Sequence, residues 1–539
     1  MKLRRRAAAV AAAGLILGVF GPARAGTTPA CGWSMASRSN AGKASRSTFD
    51  WPALDGIVSG NGRFILFSTD ARNLVGNDDD RYSDVLLRDL ATGTIRIVGR
   101  GVKGRDPKGD AWAMAISHDG RYVLFSTGAT NVHPAANGHE QIYRRDLRTG
   151  RVDMVSRSTR GAPANMSTGG RAGITPDGRY VVFISPATNL LGGGGSRNDS
   201  NFKLYLRDIE KRRTILASIL PDGGRVGGVG HSISRDGRLI AFVAGRMTGP
   251  AEVYVRNLET GRTVRISKNY DGSTNPQSRS ARNAVITPNG RYVMFTHDSR
   301  KIVRNDSNRA SDVFVYDRRT KRVERVSVGT GGKQADGDSQ GLSISDDGSV
   351  VTFVSTARNI DRRVTFENNG FAHDRSSRRT RLFTICDDGT ATAGYHNPDD
   401  IMISGNKRTI VTATQARNWA PEANDGRYQV YHRAFDIRPP TVLTTSGPYA
   451  TTAGIPVDLS GTVRRPTGDA RSGVTIVFKV TSLDGTVVWR SSATTDASGT
   501  ATVTYIPAVE PGRYLVTAIV PATSTYARAE MADGLRISG

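Results

Sequence analysis

The run Ser117-His118-Asp119-Gly120-Arg121-Tyr122-Val123-Leu124-Phe125 returns in recognisable form along the chain, and its recurrence decides the fold. Thr175-Pro176-Asp177-Gly178-Arg179-Tyr180 precedes Val181-Val182-Phe183, and Ser59-Gly60-Asn61-Gly62-Arg63-Phe64 precedes Ile65-Leu66-Phe67. Ser234-Arg235-Asp236-Gly237-Arg238-Leu239, Thr287-Pro288-Asn289-Gly290-Arg291-Tyr292 and Ser345-Asp346-Asp347-Gly348 continue the series, and Ser404-Gly405-Asn406-Lys407-Arg408 is a degenerate seventh copy. Counted from Gly62, the steps are 58 to Gly120, 58 to Gly178, 59 to Gly237, 53 to Gly290, 58 to Gly348 and 59 to Lys407. A fixed period means one supersecondary unit stacked on copies of itself.

Each unit reads as four short strands. An Asp-Gly or Asn-Gly pair between apolar runs predicts a hairpin with positive φ at both turn residues. That turn joins strand A, such as Ala115-Ile116-Ser117, to strand B, Tyr122 to Ser126. Strand C follows as Ile142-Tyr143-Arg144-Arg145-Asp146-Leu147, then a Thr-Gly turn and strand D, Val152 to Ser156. Seven repeats of four antiparallel strands predict an all-β, seven-bladed β-propeller over residues 26–437. The seventh unit has its strand C, Gln429 to Arg433, but runs into Arg438-Pro439-Pro440 without a strand D. An orphan stretch, Ser34-Met35-Ala36-Ser37-Arg38-Ser39, resembles Asp153 to Ser158 of the second unit. The N-terminal strand is therefore expected to complete the last blade, leaving no open edge.

The Ser-x-Asp-Gly-Arg-Tyr-Val-x-Phe and Tyr/Phe-x-Arg-Asp-Leu-x-Thr-Gly runs resemble those of the TolB-type, WD-repeat-like propellers of bacterial exported proteins, over residues 32–437. The resemblance implies a fold and not an activity, since such propellers serve many roles. The units exceed the usual blade length of about 40 to 45 residues, so loops must be longer. B–C and D–A connections emerge on one side, and long segments such as 72–83 and 157–171 make that side the candidate binding face.

Residues 438–539 lack the repeat. Val457 to Val463, Val474 to Val480, Ala501 to Tyr505 and Tyr514 to Ala518 alternate with turn signals, which predicts an immunoglobulin-like β-sandwich without its disulfide. Thr494 to Thr504 resembles bacterial surface Ig-like modules, whose implied role is a spacer or adhesive unit. Residues 1–25 read as a secretory signal: Lys2, Arg4, Arg5 and Arg6, then an apolar run from Ala7 to Phe20, then Ala23-Arg24-Ala25. A secreted or cell-envelope protein without a membrane span is expected. Removing those four cations and Arg24 from the formal charge of +25 leaves +20 on the mature chain. Such a field favours anionic partners. Only Cys31 and Cys386 exist, and export would permit a disulfide between them. The unit alignment puts them near opposite faces, so pairing requires residues 26–33 to fold back and stays open.

Candidate chemistry is sparse. There is no Gly-x-Ser-x-Gly elbow, no His-Glu-x-x-His and no phosphate-binding loop, and the eight histidines are scattered. One constellation repeats: Asp78, Asp80 and Asp84 in the first unit match Asp306, Asn308 and Asp312 in the fifth. Hard oxygens at short spacing suit Ca²⁺, although Asp and Asn also build turns through their side chains. The Asn after strand B (Asn73, Asn131, Asn189, Asn359, Asn418) is read as a turn builder. The strand-C arginines Arg88, Arg145, Arg207 and Arg256 are read as blade-to-blade contacts. No catalytic residue and no cofactor other than Ca²⁺ is expected. The chain is read as a monomeric, non-catalytic binding or scaffold protein for protein or anionic envelope-polymer partners, without specific nucleic-acid recognition. The alternative is an extracellular lyase or glycosidase with its site at the propeller axis.

Overall fold

The computed structural model describes residues 33–47, 56–76, 78, 80–191, 202–244, 251–273, 281–364, 368–386, 401–417, 419, 427–435, 442–464, 469–484, 486–521 and 529–538. The described chain is all-β apart from one short 3₁₀ turn, Val102–Gly104. Seven four-stranded antiparallel sheets account for residues 34–434. Six are built from consecutive strands, for example Ala111–Ile116, Tyr122–Thr127, Gln141–Asp146 and Val152–Met154. The last runs Ser34–Met35, Gln429–Ala434, Thr409–Thr414, Met402–Ile403 in spatial order. In it Ser34 pairs with His432 and Met35 with Tyr431, so an N-terminal strand is the outer strand of the C-terminal sheet, as expected from the orphan motif. This is the arrangement of a β-propeller.

The recurring motif acts both within a sheet and between sheets. Within a sheet, Arg121 donates from Nε and Nη2 to the two carboxylate oxygens of Asp146, at 3.1 and 2.7 Å. Its guanidinium lies 4.7 Å from the centre of the Tyr122 ring. Arg63 with Asp89 and Phe64, Arg179 with Asp208 and Tyr180, and Arg291 with Asp317 and Tyr292 repeat the device. The fork clamps the start of strand B to the end of strand C. It holds the Asp146 carboxyl well below the usual carboxylate range. Between sheets, the same aromatic ring abuts the turn glycine of the next unit. A Cβ on Gly178 would sit 2.3 Å from Tyr122, one on Gly237 2.4 Å from Tyr180, and one on Gly348 2.3 Å from Tyr292. The turn differs from the expected two-residue hairpin. Gly120 has φ 81° but Asp119 does not take positive φ, because its Oδ1 accepts from Ser117 Oγ and the Arg121 N–H and holds a wider loop.

The ring also closes. Asn406 Nδ2 donates to Asn61 O at 2.5 Å and Thr409 Oγ1 to Gly62 O at 2.7 Å, joining the seventh unit to the first. Phe67, Phe125, Phe183, Phe242, Phe295 and Phe353 occupy one buried position of strand B, each next to a strand-C residue. Phe125 on Tyr143 and Phe353 on Phe371 stack at 5.5 and 5.4 Å. The seventh sheet has Thr412 there, and its core holds Trp33 stacked on Trp419 at 4.5 Å. Cys386 lies in that same core and is disulfide-bonded; Cys31, the only other cysteine, lies outside the described residues. Trp33 and Cys386 share this core, which removes the separation that the unit alignment suggested.

Beyond residue 441, eight strands form sheets of three and five around one core that includes Leu459, Ile476, Phe478, Val516 and Leu535. Tyr449–Thr452 pairs in parallel with Ala529–Ser538. The signal-like residues 1–25 lie outside the described residues.

Two stability measurements follow. Gly261 has φ 71° with open space around it, whereas Gly178 has φ 72° and the Tyr122 ring above it. Gly261→Ala should cost only the left-handed backbone penalty, about 1–2 kcal/mol. Gly178→Ala should cost about 1–3 kcal/mol more in urea unfolding, from overpacking at the sheet–sheet contact. Trp33→Ala should cost about 3–5 kcal/mol by the same assay, because the ring is buried in the closing sheet; a loss below about 1 kcal/mol would show that the N-terminal strand does not hold the last sheet.

Candidate functional site

Three places on the seven sheets gather side chains with chemistry. The largest is a cleft of about 1200 Å³ between the fourth and fifth sheets. It lies beside the strands Thr263–Arg265 and Arg322–Arg325. Its described lining includes Arg262, Arg265, Lys268, Arg304, Arg318, Lys321 and Arg322, and no carboxylate. Arg265 reaches Glu252 at 3.6 Å. Arg304 lies over the Tyr270 ring at 4.9 Å, and Arg318 Nη1 donates to Gly290 O at 2.6 Å. The other four make no ion pair among the described residues. The cleft floor is apolar: Leu239, Val255, Ile266 and Ile302.

The geometry of the junction explains the opening. At the second-to-third junction, the D–A connection bonds the outer strand of the next sheet: Thr159 Oγ1 and Thr214 O at 3.3 Å, Thr214 N and Thr159 Oγ1 at 3.0 Å. Thr330 and Thr380 do the same at the fifth-to-sixth. At the fourth-to-fifth, the Tyr270 N–H goes instead to Lys301 O, in the loop after strand B, at 2.8 Å. The outer strand Arg322–Arg325 is left uncovered on that side. Sequence reading did not single out this cleft, because its cations are spread over sixty residues without a like-charge run; their spacing carries no signal until the two sheets are side by side.

The second place is the acidic repeat. One carboxylate oxygen from each of Asp78, Asp80 and Asp84 lies within 4.8 Å of the others. Asp84, at the start of Asp84–Asp89, is only 5% exposed. Burial, together with the charges of Asp78, Asp106 and Asp80, pushes its carboxyl up to about 7. Asp80 Oδ1 accepts from the Tyr82 N–H at 2.9 Å. In the fifth unit, Asp306, Asn308 and Asp312 also come together, with side-chain partners on neighbouring elements. Ser327 Oγ donates to Asp312 Oδ1 at 2.5 Å and Asn308 Nδ2 to Asp312 Oδ2 at 3.2 Å. Arg325 Nη1 lies 3.6 Å from both Asp306 and Asp312, and Gln334 Nε2 donates to Asp306 at 2.9 Å.

The third place is a cavity of about 580 Å³ lined by the first strand of all seven sheets, hence on the axis. Trp112, Glu140, Arg171 and His231 face it. Glu140 accepts from Ser126 Oγ at 2.6 Å. Both His231 nitrogens are sealed from solvent, and burial pushes the imidazole down to about 4.

The asparagine series builds turns. Asn73, Asn131 and Asn189 donate to the carbonyls of Ala44, Asp106 and Pro163 at 2.7, 2.7 and 2.8 Å, and Asn359 to that of Gln334 at 2.9 Å. Asn418 lies outside the described residues. Arg88, Arg145 and Arg207 reach the carbonyls of Ala36, Arg100 and Ser158 in the preceding units, whereas Arg256 bonds Gly261 and Thr263 in its own.

No protein-family model matches this chain, and no curated protein matches it. Among solved structures it is similar to an oligogalacturonate lyase in complex with manganese, at 11% identity over 75% of this chain and 96% of that one, with a TM-score of 0.45. It is similar to TolB from Acinetobacter baumannii at 15% identity, 66% and 76% coverage and a TM-score of 0.32. The β-propeller domain of the Trilobed protease from Pyrococcus furiosus gives 10%, 74% and 99%, and 0.36. These neighbours include TolB and other β-propeller proteins; likenesses of this size say nothing of activity.

Proposed function

We propose that the protein is an exported, non-catalytic binding protein that holds an anionic polymer of the cell envelope. The seven sheets are taken as the blades of one closed propeller, and the strands after residue 441 as an immunoglobulin-like spacer. The observation that carries the reading is the cleft of seven cations with no carboxylate in its lining. By contrast, Arg63, Arg121, Arg179 and Arg291 on the turn side each close a fork with an aspartate. In the cleft six of the seven cations, all but Arg265, make no ion pair among the described residues and stand over an apolar floor, which suits a chain of anionic groups on a hydrocarbon or sugar backbone. The chain's formal charge of +25 adds long-range attraction of the same sign.

A second reading, an enzyme acting on a polysaccharide at the axis, is favoured by His231. A buried imidazole neutral at ordinary pH, beside Arg171, has the protonation state of a base for proton abstraction next to a carboxylate. Glycoside hydrolysis fits less well, because Glu140 is the one carboxylate among the described residues of that cavity and the reaction uses two.

The test uses dextran sulfate and uncharged dextran, which share a backbone. The protein should bind the first and not the second. Binding should weaken as salt rises from 0.1 M, where screening acts over about 10 Å, toward 1 M, where it acts over about 3 Å. Lys268→Glu combined with Arg322→Glu should weaken it at least about tenfold, or 1.4 kcal/mol. Equal binding of both dextrans, or an unaffected double variant, would refute the cleft. Release of unsaturated sugar ends from a uronate polymer, lost on His231→Asn, would favour the enzyme.

A further inference from the structure

The seven sheets carry an internal comparison that separates the two acidic sets. The first residue of strand C is buried and polar in six of the seven sheets, where Asp84, Gln141, Glu252, Asp312, Asn369 and Gln429 occupy it; the third sheet has the half-buried Lys203 there. Beside each except Asp84, a hydroxyl follows the outer strand and serves two groups. Ser156 Oγ donates to Gln141 and accepts from Ile142 N; Ser327 does so for Asp312 and Val313, and Ser37 for Gln429 and Val430. Ser267 bonds Glu252, and Thr384 bonds Asn369 at 3.3 Å. In the first sheet this position is Gly99, and a Cβ there would lie 2.8 Å from Val85.

The charge is handled in the same way. Where the strand-C residue is acidic in the fourth and fifth sheets, an arginine two residues before the hydroxyl faces it: Arg265 with Glu252 and Arg325 with Asp312, both at 3.6 Å. The equivalent residue of the first sheet is Ile97, which pairs with Leu86 in the same register as Arg325 with Phe314. Gln334, which bonds Asp306 in the fifth unit, is replaced by a fourth carboxylate, Asp106, itself held by Arg100 at 2.6 Å. The equivalence rests on bonds that Asn131 and Asn359 make to the carbonyls of these two residues. Asp84 is thus 95% buried, aimed at two further carboxylates, and receives no hydrogen bond from the described residues. Among the described residues the arginine whose charge acts on Asp84 is Arg100, and it is already paired with Asp106. A buried carboxylate with no hydrogen bond and only a shared cation is costly, and in a chain that gives its other buried acids both a hydroxyl and a guanidinium it calls for a partner from outside.

We propose that Asp78, Asp80 and Asp84 bind one Ca²⁺ ion, which takes the place that the Arg325 guanidinium holds in the fifth sheet. The donor set is all oxygen, which selects a hard cation over zinc or copper. Mg²⁺ demands near-ideal octahedral geometry and gives up its waters reluctantly, whereas Ca²⁺ accepts irregular sets of carboxylate oxygens such as these three. The ion would tie the loop carrying Asp78 and Asp80 to strand Asp84–Asp89 on the long-loop face. The fifth set, already holding its own cation, is not a second site.

The test is a calorimetric titration of chelator-treated full-length protein with Ca²⁺ alone, paired with thermal unfolding. One ion per chain should bind, with a rise in melting temperature, and Mg²⁺ should bind at least about tenfold more weakly. Asp84→Asn should abolish binding and raise the melting temperature of the metal-free protein, since it removes a buried charge. Ile97→Arg should do the same by installing the internal cation. Asp312→Asn should leave Ca²⁺ binding unchanged. The proposal fails if no binding is seen up to about 10 mM Ca²⁺, above the weakest extracellular sites. It fails equally if Asp84→Asn binds like the parent, if Asp312→Asn loses the ion, or if Mg²⁺ matches Ca²⁺.

Discussion

The contact on which the rest of the structure depends is small: an aromatic ring at the start of strand B pressed against the turn glycine of the following sheet. The ring is capped by the arginine that precedes it in sequence, and that arginine is forked to an aspartate at the end of strand C. One motif therefore joins two strands of its own sheet and one turn of the next. Tyr122, Tyr180 and Tyr292 lie against Gly178, Gly237 and Gly348, and Leu239 takes the role at Gly290. Repetition of a single contact geometry is what makes sheets with little sequence in common stack at a constant offset. Where it lapses, at the seventh unit, polar bonds from Asn406 and Thr409 and the Trp33–Trp419 stack take over, and the ring still closes.

The distribution of charge follows from this framework. The turn face neutralises its arginines locally, one aspartate each. On the other side, the buried end of strand C is a recurring polar site that five sheets satisfy with their own hydroxyl and, where the residue is acidic, their own guanidinium. Departures from these two habits stand out: cations left unmatched in the cleft between the fourth and fifth sheets, and a carboxylate left unmatched in the first. Both departures sit where one sheet differs from its siblings, so the regular units act as the reference against which function is read.

Much of this was legible in the residues. The Asp-Gly-Arg-Tyr runs marked the units, and the resemblance of Ser34–Ser39 to Asp153–Ser158 located the closing strand. The reading of the asparagines as turn builders holds for Asn73, Asn131, Asn189 and Asn359. The turn itself was misread, because the Asp119 side chain and not a left-handed backbone makes the corner. The spacing of Asp78, Asp80 and Asp84 matched that of Asp306, Asn308 and Asp312, and nothing local told them apart. The residues that do, Ile97 against Arg325 and Gly99 against Ser327, lie on the neighbouring strand.

The sequence by itself determined the period, the four strands of each unit and the completion of the last sheet by the first strand. Those follow from local turn chemistry and apolar alternation, which short stretches of chain specify on their own. Only the tertiary structure decided which arginines pair with aspartates, that the axial cavity is lined by all seven first strands, and that of two matching acidic sets only the fifth pairs its buried aspartate with an arginine among the described residues. Those are differences between side chains brought together from separate strands and sheets, and Coulomb energy and desolvation depend on that proximity, which spacing along the chain does not encode.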